Sequence, residues 1–144
     1  MGIVLIRHGA TAGNIEKRYI GTTDEPLCDT GTAQIQEYMR SGCYPKVQAL
    51  YVSPLKRCRQ TAAFIYPDMK QIIVQDFREC DFGKFEGKNY KELTGDEDYQ
   101  KWIDSNGTIP FPQGEDIADF RTRCVHAWKD RKSTRLNSSH DQIS

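Results

Sequence analysis

The sequence predicts an α/β layered domain built on a mainly parallel sheet, and three observations carry that prediction. Short apolar runs rich in β-branched residues alternate with stretches of helical period. Reactive side chains gather immediately after those runs, beyond the strand ends where ligands of open α/β sheets bind. A length of 144 residues, 38% hydrophobic and 28% charged, suits one soluble domain, and no internal repeat or interdomain linker divides it.

Met1 to Ile6 reads as a first strand buried on both faces, an unbroken apolar run closed by Arg7-His8. Gly9, Gly13 and Gly21 make the next stretch a loop. Asp29 or Thr30 can cap a helix from about Gly31 to Arg40, which Ser41-Gly42 ends. Val47 to Val52 reads as a second strand. Ser53-Pro54 then supplies an N-cap and a proline at the first helical position, and Leu55, Cys58, Ala62 and Ile65 share one face of the helix that follows. Pro67 closes it. Gln71 to Gln75 is a third strand, followed by a loop from Asp76 to Lys88 that contains glycine and aromatic residues. A small helix over Asp96 to Asp104 would turn Tyr99, Trp102 and Ile103 inward. The last helix runs from Gly114 to Trp128, with Ile117, Phe120, Cys124 and Trp128 at helical spacing.

Composition narrows the partners. Twenty basic residues against twenty acidic ones leave no charge signature for nucleic acid or a membrane surface, and neither partner is expected. No run approaches the ~18 apolar residues of a membrane span, and Met1 to Ile6 is too short for a signal-peptide core, so a cytoplasmic location is expected. The five cysteines are odd in number and form no Cys-x-x-Cys pair, which argues for reduced thiols rather than a disulfide framework or zinc site. From Asp130 to Ser144 the sequence loses its apolar period. A codon-by-codon spelling of Asp130 to His140 resembles the constant part of a common sequencing-library adapter. The expected organisation is therefore a domain over residues 1–129 and a non-native tail over 130–144.

Three motifs stand at the predicted strand ends. The first is Arg7-His8-Gly9 with Thr11 and Asn14; the second is Ser53-Pro54-Leu55-Lys56-Arg57-Cys58-Arg59-Gln60-Thr61-Ala62. The third is Glu79-Cys80-Asp81-Phe82-Gly83-Lys84-Phe85-Glu86-Gly87. Taken singly, His8 reads as readily as a satisfied strand-end histidine, and Arg57 as a solvated helix charge. In this order the three resemble the histidine phosphatase superfamily, also called phosphoglycerate mutase-like, over nearly all of residues 1 to 129. Lys17-Arg18-Tyr19-Ile20-Gly21 and Asp24-Glu25-Pro26-Leu27 resemble a loop of its alpha-ribazole phosphatase-like branch. Pro112-Gln113-Gly114-Glu115, with Phe120 and Arg123, resembles the family's entry into its late helix, where capping and packing are expected. The resemblance implies a three-layer α/β/α sandwich with a mainly parallel sheet, incomplete at its C-terminus.

It also implies a metal-independent phosphatase that acts on a small phosphorylated metabolite without a cofactor, alpha-ribazole 5'-phosphate being the best single guess. Such chemistry needs a neutral imidazole nucleophile and fixed positive charge around the phosphoryl oxygens. His8 would be that nucleophile, and Arg7 and Arg57 would keep it neutral and clamp the oxygens. Gly9, Thr11, Asn14 and Gly21 complete the expected substrate site. Glu79 is the expected general acid, later the base, and this requires it to meet the substrate carrying a proton. The family's second catalytic histidine, in a Ser-His-Gly-like turn, has no counterpart, since His126 lies within a helix and His140 in the suspected tail. A phosphoglycerate mutase-type phosphotransferase and a non-catalytic phospholigand-binding fragment are the alternatives.

Overall fold

The segment Ser53 to Lys70 carries the chain between two parallel strands, β1 (Leu50–Val52) and β2 (Gln71–Ile73), which form the sheet found among the described residues. In this computed structural model residues 2–131 are described. Leu50 stands opposite Gln71, Tyr51 opposite Ile72 and Val52 opposite Ile73, and Val74 extends the ladder by donating to Val52 O at 2.9 Å. Among the described residues six α-helices accompany them: α1 (Ala12–Ile15), α2 (Asp29–Arg40), α3 (Lys56–Ile65), α4 (Tyr90–Leu93), α5 (Glu97–Asp104) and α6 (Ile117–Lys129). The β1–α3–β2 order needs a crossover of this length, because parallel strands cannot be joined by a tight turn. Helix α3 packs on β1 and on α2, and α6 packs on a 3-10 turn over Gln75–Phe77 that directly follows β2.

The expected first strand is absent. Gly2 to Ile6 pairs with no strand among the described residues, and Ile3 is 59% and Leu5 87% exposed. An apolar β-branched run makes extended backbone easy, but a strand also needs a neighbour for its N–H and C=O groups and a layer on each face. Neither meets this segment. The second and third strands stand where the pattern put them, shortened by two or three residues.

Helix starts moved for identifiable reasons. Ser53-Pro54 does not open α3; Leu55 takes the cap position in extended conformation, and Asp24 accepts from the Lys56 N–H at 2.7 Å. A carboxylate brought from a distant loop thus does the capping that Ser53 was expected to do locally. Asp96 does cap α5, by accepting from Tyr99 N at 3.0 Å. Asp116 caps α6 by accepting from Ala118 N at 2.8 Å, so that helix begins at Ile117 rather than Gly114.

A core forms around the loop after β2. Phe85, Leu93, Cys80 and Phe111 are buried, and Tyr19, Phe82, Tyr99, Trp102, Ile117 and Phe120 pack against them. The Phe85 ring meets Phe111 at 5.9 Å and Tyr99 at 5.4 Å, both edge-on, the arrangement favoured by the charge distribution of aromatic rings. Ile103 is 44% exposed and takes no part, contrary to expectation. Gly83 makes the crossing of two loops practicable: its φ is +52°, and a Cβ there would lie 2.2 Å from Pro112 O. Lys84 N then donates to that same carbonyl at 2.7 Å, joining residues 81–84 to 111–115.

Candidate active site

His8 follows the exposed segment 2–7 and is half-buried. Its Nδ1 lies 2.6 Å from Gly9 O. A carbonyl oxygen can only accept, so Nδ1 carries the proton and a neutral ring presents its lone pair at Nε2. Burial lowers the His8 pKa from 6.5, the Arg57 and Arg7 charges lower it further, and the Gly9 bond and Glu79 oppose them. Neutral, nucleophilic imidazole is therefore the favoured form near neutral pH. The neighbouring Gly9 N–H donates to Thr61 Oγ1 at 3.0 Å, and that hydroxyl donates to Arg57 O at 2.7 Å, which seats the His8 backbone on α3.

Arg57 is 1% exposed. Its Nη1 donates to Thr23 O and its Nη2 to Gly21 O, both at 2.8 Å, while Nε is buried without a partner. Glu86 in turn accepts from Gly21 N at 2.6 Å and Thr23 N at 2.9 Å. The loop over residues 20–23 is thus gripped by a cation on its carbonyls and an anion on its amides. Gly21 is required by the close approach, since a Cβ there would come within 2.0 Å of Cys80 O.

Thr11 and Asn14 form a reciprocal cap on α1. Thr11 N donates to Asn14 Oδ1 at 3.0 Å, and Asn14 N donates to Thr11 Oγ1 at 3.2 Å. Thr11 is fully buried, so its hydroxyl serves the backbone in this structure. Arg7 is exposed and acts on His8 through charge. Glu79 lines a cleft of about 270 Å³ with Thr22, Arg78, Asp81, Gly114 and Glu115, and its Oε1 accepts from Cys80 N at 2.8 Å. The structure therefore brings His8, Arg7, Arg57 and Glu79 within electrostatic reach of one another, with Gly9 and Gly21 as tight backbone passages beside them. His126 stands exposed on α6, and His140 lies outside the described residues, as does all of the expected tail beyond Arg131. Among the described residues no group of three or more His, Cys, Asp or Glu side chains could hold a metal ion, and no helix is long and apolar enough to cross a membrane.

Three supporting side chains escaped sequence reasoning. Glu86, in the third motif, accepts from loop amides 63 and 65 residues away. Asp24 caps α3 across 32 residues, and Thr61 supports Gly9 across 52. A side chain bonded to distant backbone leaves no local pattern to read.

The model of the histidine phosphatase superfamily (branch 1) matches residues 3–141. The chain is 37% identical over 97 residues to the uncharacterized phosphatase PhoE of Bacillus subtilis strain 168, an alignment covering 64% of this chain and 49% of that protein. It is 31% identical over 136 residues to the 2,3-bisphosphoglycerate-dependent phosphoglycerate mutase of Methylorubrum populi, covering 85% of this chain and 62% of the relative. The alpha-ribazole phosphatase structure from Shigella flexneri superposes with a TM-score of 0.76 at 23% identity, over 91% of this chain and 67% of that one, a likeness of fold. The chain thus spans about half of the Bacillus protein's length. With a family match over nearly its whole length, and a mixed α/β fold with a parallel sheet of the phosphoglycerate mutase-like kind, the chain belongs to the histidine phosphatase superfamily.

Proposed function

We propose that the protein is a metal-independent phosphatase that hydrolyses a small-metabolite phosphate monoester through a phosphohistidine on His8. The observation that carries this reading is the Nδ1–H bond to Gly9 O, which leaves Nε2 as a lone-pair donor beside Arg57 and Arg7. Nε2 would form the N–P bond as the ester P–O bond breaks, and Glu79 would give its proton to the leaving alkoxide. Water would then attack phosphorus, return a proton to Glu79 and release inorganic phosphate and free His8. The exposed Arg7 would be the cationic donor to the phosphoryl oxygens, and the buried Arg57 guanidinium would add positive charge beside them. Alpha-ribazole 5'-phosphate is the substrate we put first, supported by the resemblance of the loop over 17–27 and by the fold shared with the Shigella enzyme. A mutase-type phosphotransferase is the second reading, favoured by the Methylorubrum relative's name.

The test is covalent labelling of the 144-residue chain with a radiolabelled phosphate monoester. An acid-labile, alkali-stable label is expected, and His8→Ala should abolish it. Label retained in His8→Ala would sink the phosphohistidine route. Label that turns over only with a bisphosphorylated primer would select the mutase. Ligand binding with no label at all would leave a phospholigand-binding fragment.

A further inference from the structure

Arg123, in the second turn of α6, donates to four acceptors. Its Nε and Nη2 bond the two Glu115 carboxylate oxygens at 3.1 and 2.8 Å, and its Nη1 bonds the carbonyls of Asp76 and Arg78 at 2.7 and 2.9 Å. Glu115 extends the staple. Its Oε1 accepts from Asp81 N at 3.3 Å, and its own N–H donates to Asp81 O at 2.9 Å. The backbone is consequently held three residues before Glu79, one residue before it and two residues after it. The Phe120 ring lies 5.2 Å from the guanidinium carbon and covers one of its faces.

Helix capping does not account for this arrangement, because Asp116 already caps α6. The pair is also mostly buried, with side chains 12% and 20% exposed, so its two charges are held by each other and by the loop backbone rather than by water. Arg123 correspondingly holds the Glu115 carboxyl below its ordinary range. A planar fork with several fixed donors suits this task, and a lysine ammonium could not reach the same acceptors.

Resting on the phosphatase reading above, we propose that Arg123 and Glu115 are positioning residues that hold the Glu79 carboxyl against the leaving group. A general acid must lie within hydrogen-bond reach of the oxygen it protonates, and a misplacement near 1 Å costs about 100-fold in rate. The staple therefore governs those substrates whose leaving alkoxide needs a proton. An aryl ester such as p-nitrophenyl phosphate, whose phenolate departs unprotonated, is insensitive to it.

The experiment compares single-turnover labelling of the whole chain by p-nitrophenyl phosphate and by glycerol phosphate. Arg123→Met should slow labelling by the alkyl ester about 100-fold and by the aryl ester less than about 5-fold. Arg123→Lys should restore little of the difference. To avoid a stranded Glu115 charge, the double variant Glu115→Gln/Arg123→Met is measured in parallel, together with amide hydrogen exchange over residues 76–81. Faster exchange confined to that loop, with selective loss on the alkyl ester, supports the proposal. Unchanged exchange, or equal loss on both esters, overturns it. Glu79→Gln separates this from the underlying reading: if that variant treats both esters as the parent does, Glu79 is not the acid, and the phosphatase assignment of Glu79 falls with the staple's role.

Discussion

Two apolar regions of the molecule meet opposite fates. The cluster centred on Phe85 and Leu93 excludes solvent almost completely, with 0% and 1% exposure, whereas Ile3, Val4, Leu5 and Ile6 are 38% to 87% exposed. Hydrophobicity does not separate them. The cluster is assembled from three loop segments and the helices α4, α5 and α6, which close on one another, so each ring finds partners on several sides. The N-terminal segment meets no second strand, and its side chains remain in water. The same contrast divides the site: Arg57 and Glu79 rest on packed elements, while Arg7 and His8 follow the exposed run.

The largest expected effect lies in the cluster. Phe85→Ala should cost about 3–5 kcal/mol of stability, because a buried ring is replaced by a cavity that its neighbours cannot fill. Chemical denaturation gives the value, and a loss under about 1 kcal/mol would show that the cluster is not the folding core. A matched pair sharpens the comparison further. Leu93→Ala should cost about 2–5 kcal/mol and Leu5→Ala less than about 0.5 kcal/mol, although both remove the same atoms. Similar losses at both positions would mean that the N-terminal segment is packed in solution.

The smallest effect concerns pH. The His8 pKa is lowered first by burial and then by Arg57 and Arg7, so labelling should persist as pH falls below 6.5 and fail only at the lower folded value. The sign for stability follows. Above 6.5 the ring is neutral folded or unfolded; below it the unfolded state takes up the proton first, so the folded state loses stability as pH falls from 6.5 to the folded pKa. Arg7→Gln removes one of the lowering charges and should move the acid limb of labelling to higher pH, by less as salt is raised. A limb that does not move would place Arg7 outside the field felt by His8.

Much of the site was legible because its chemistry clusters in contiguous motifs. His8 with Gly9, Arg57 with Thr61, and Glu79 with Glu86 each fall within short contiguous stretches. The bonding partners were not legible. Arg57 is expected from its motif to clamp phosphoryl oxygens, and in the structure its Nη1 and Nη2 grip the Thr23 and Gly21 carbonyls, while Thr11 and Asn14, expected in the substrate site, cap α1. Ile103 fits an amphipathic helix by spacing but lies outside the inward arc that Tyr99 and Trp102 occupy. Period identifies a face to within a residue or so, and only the neighbouring element decides where its edge lies.

The amino-acid sequence by itself determined the parallel α/β character, the order of helix, strand, helix and strand over residues 29–73, the later helices α5 and α6, and the motifs that hold the reactive residues. Those properties follow from local propensity, period and motif, which depend on residues near one another in the chain. Tertiary structure decided that residues 2–6 form no strand, that Asp24 rather than Ser53 caps α3, and that Glu86 and Arg57 share one loop. It also decided that Arg123 and Glu115 bracket Glu79. Each of these is a hydrogen bond or packing contact whose acceptor or neighbour comes from elsewhere in the chain. Their energies depend on burial and distance, which no local pattern encodes.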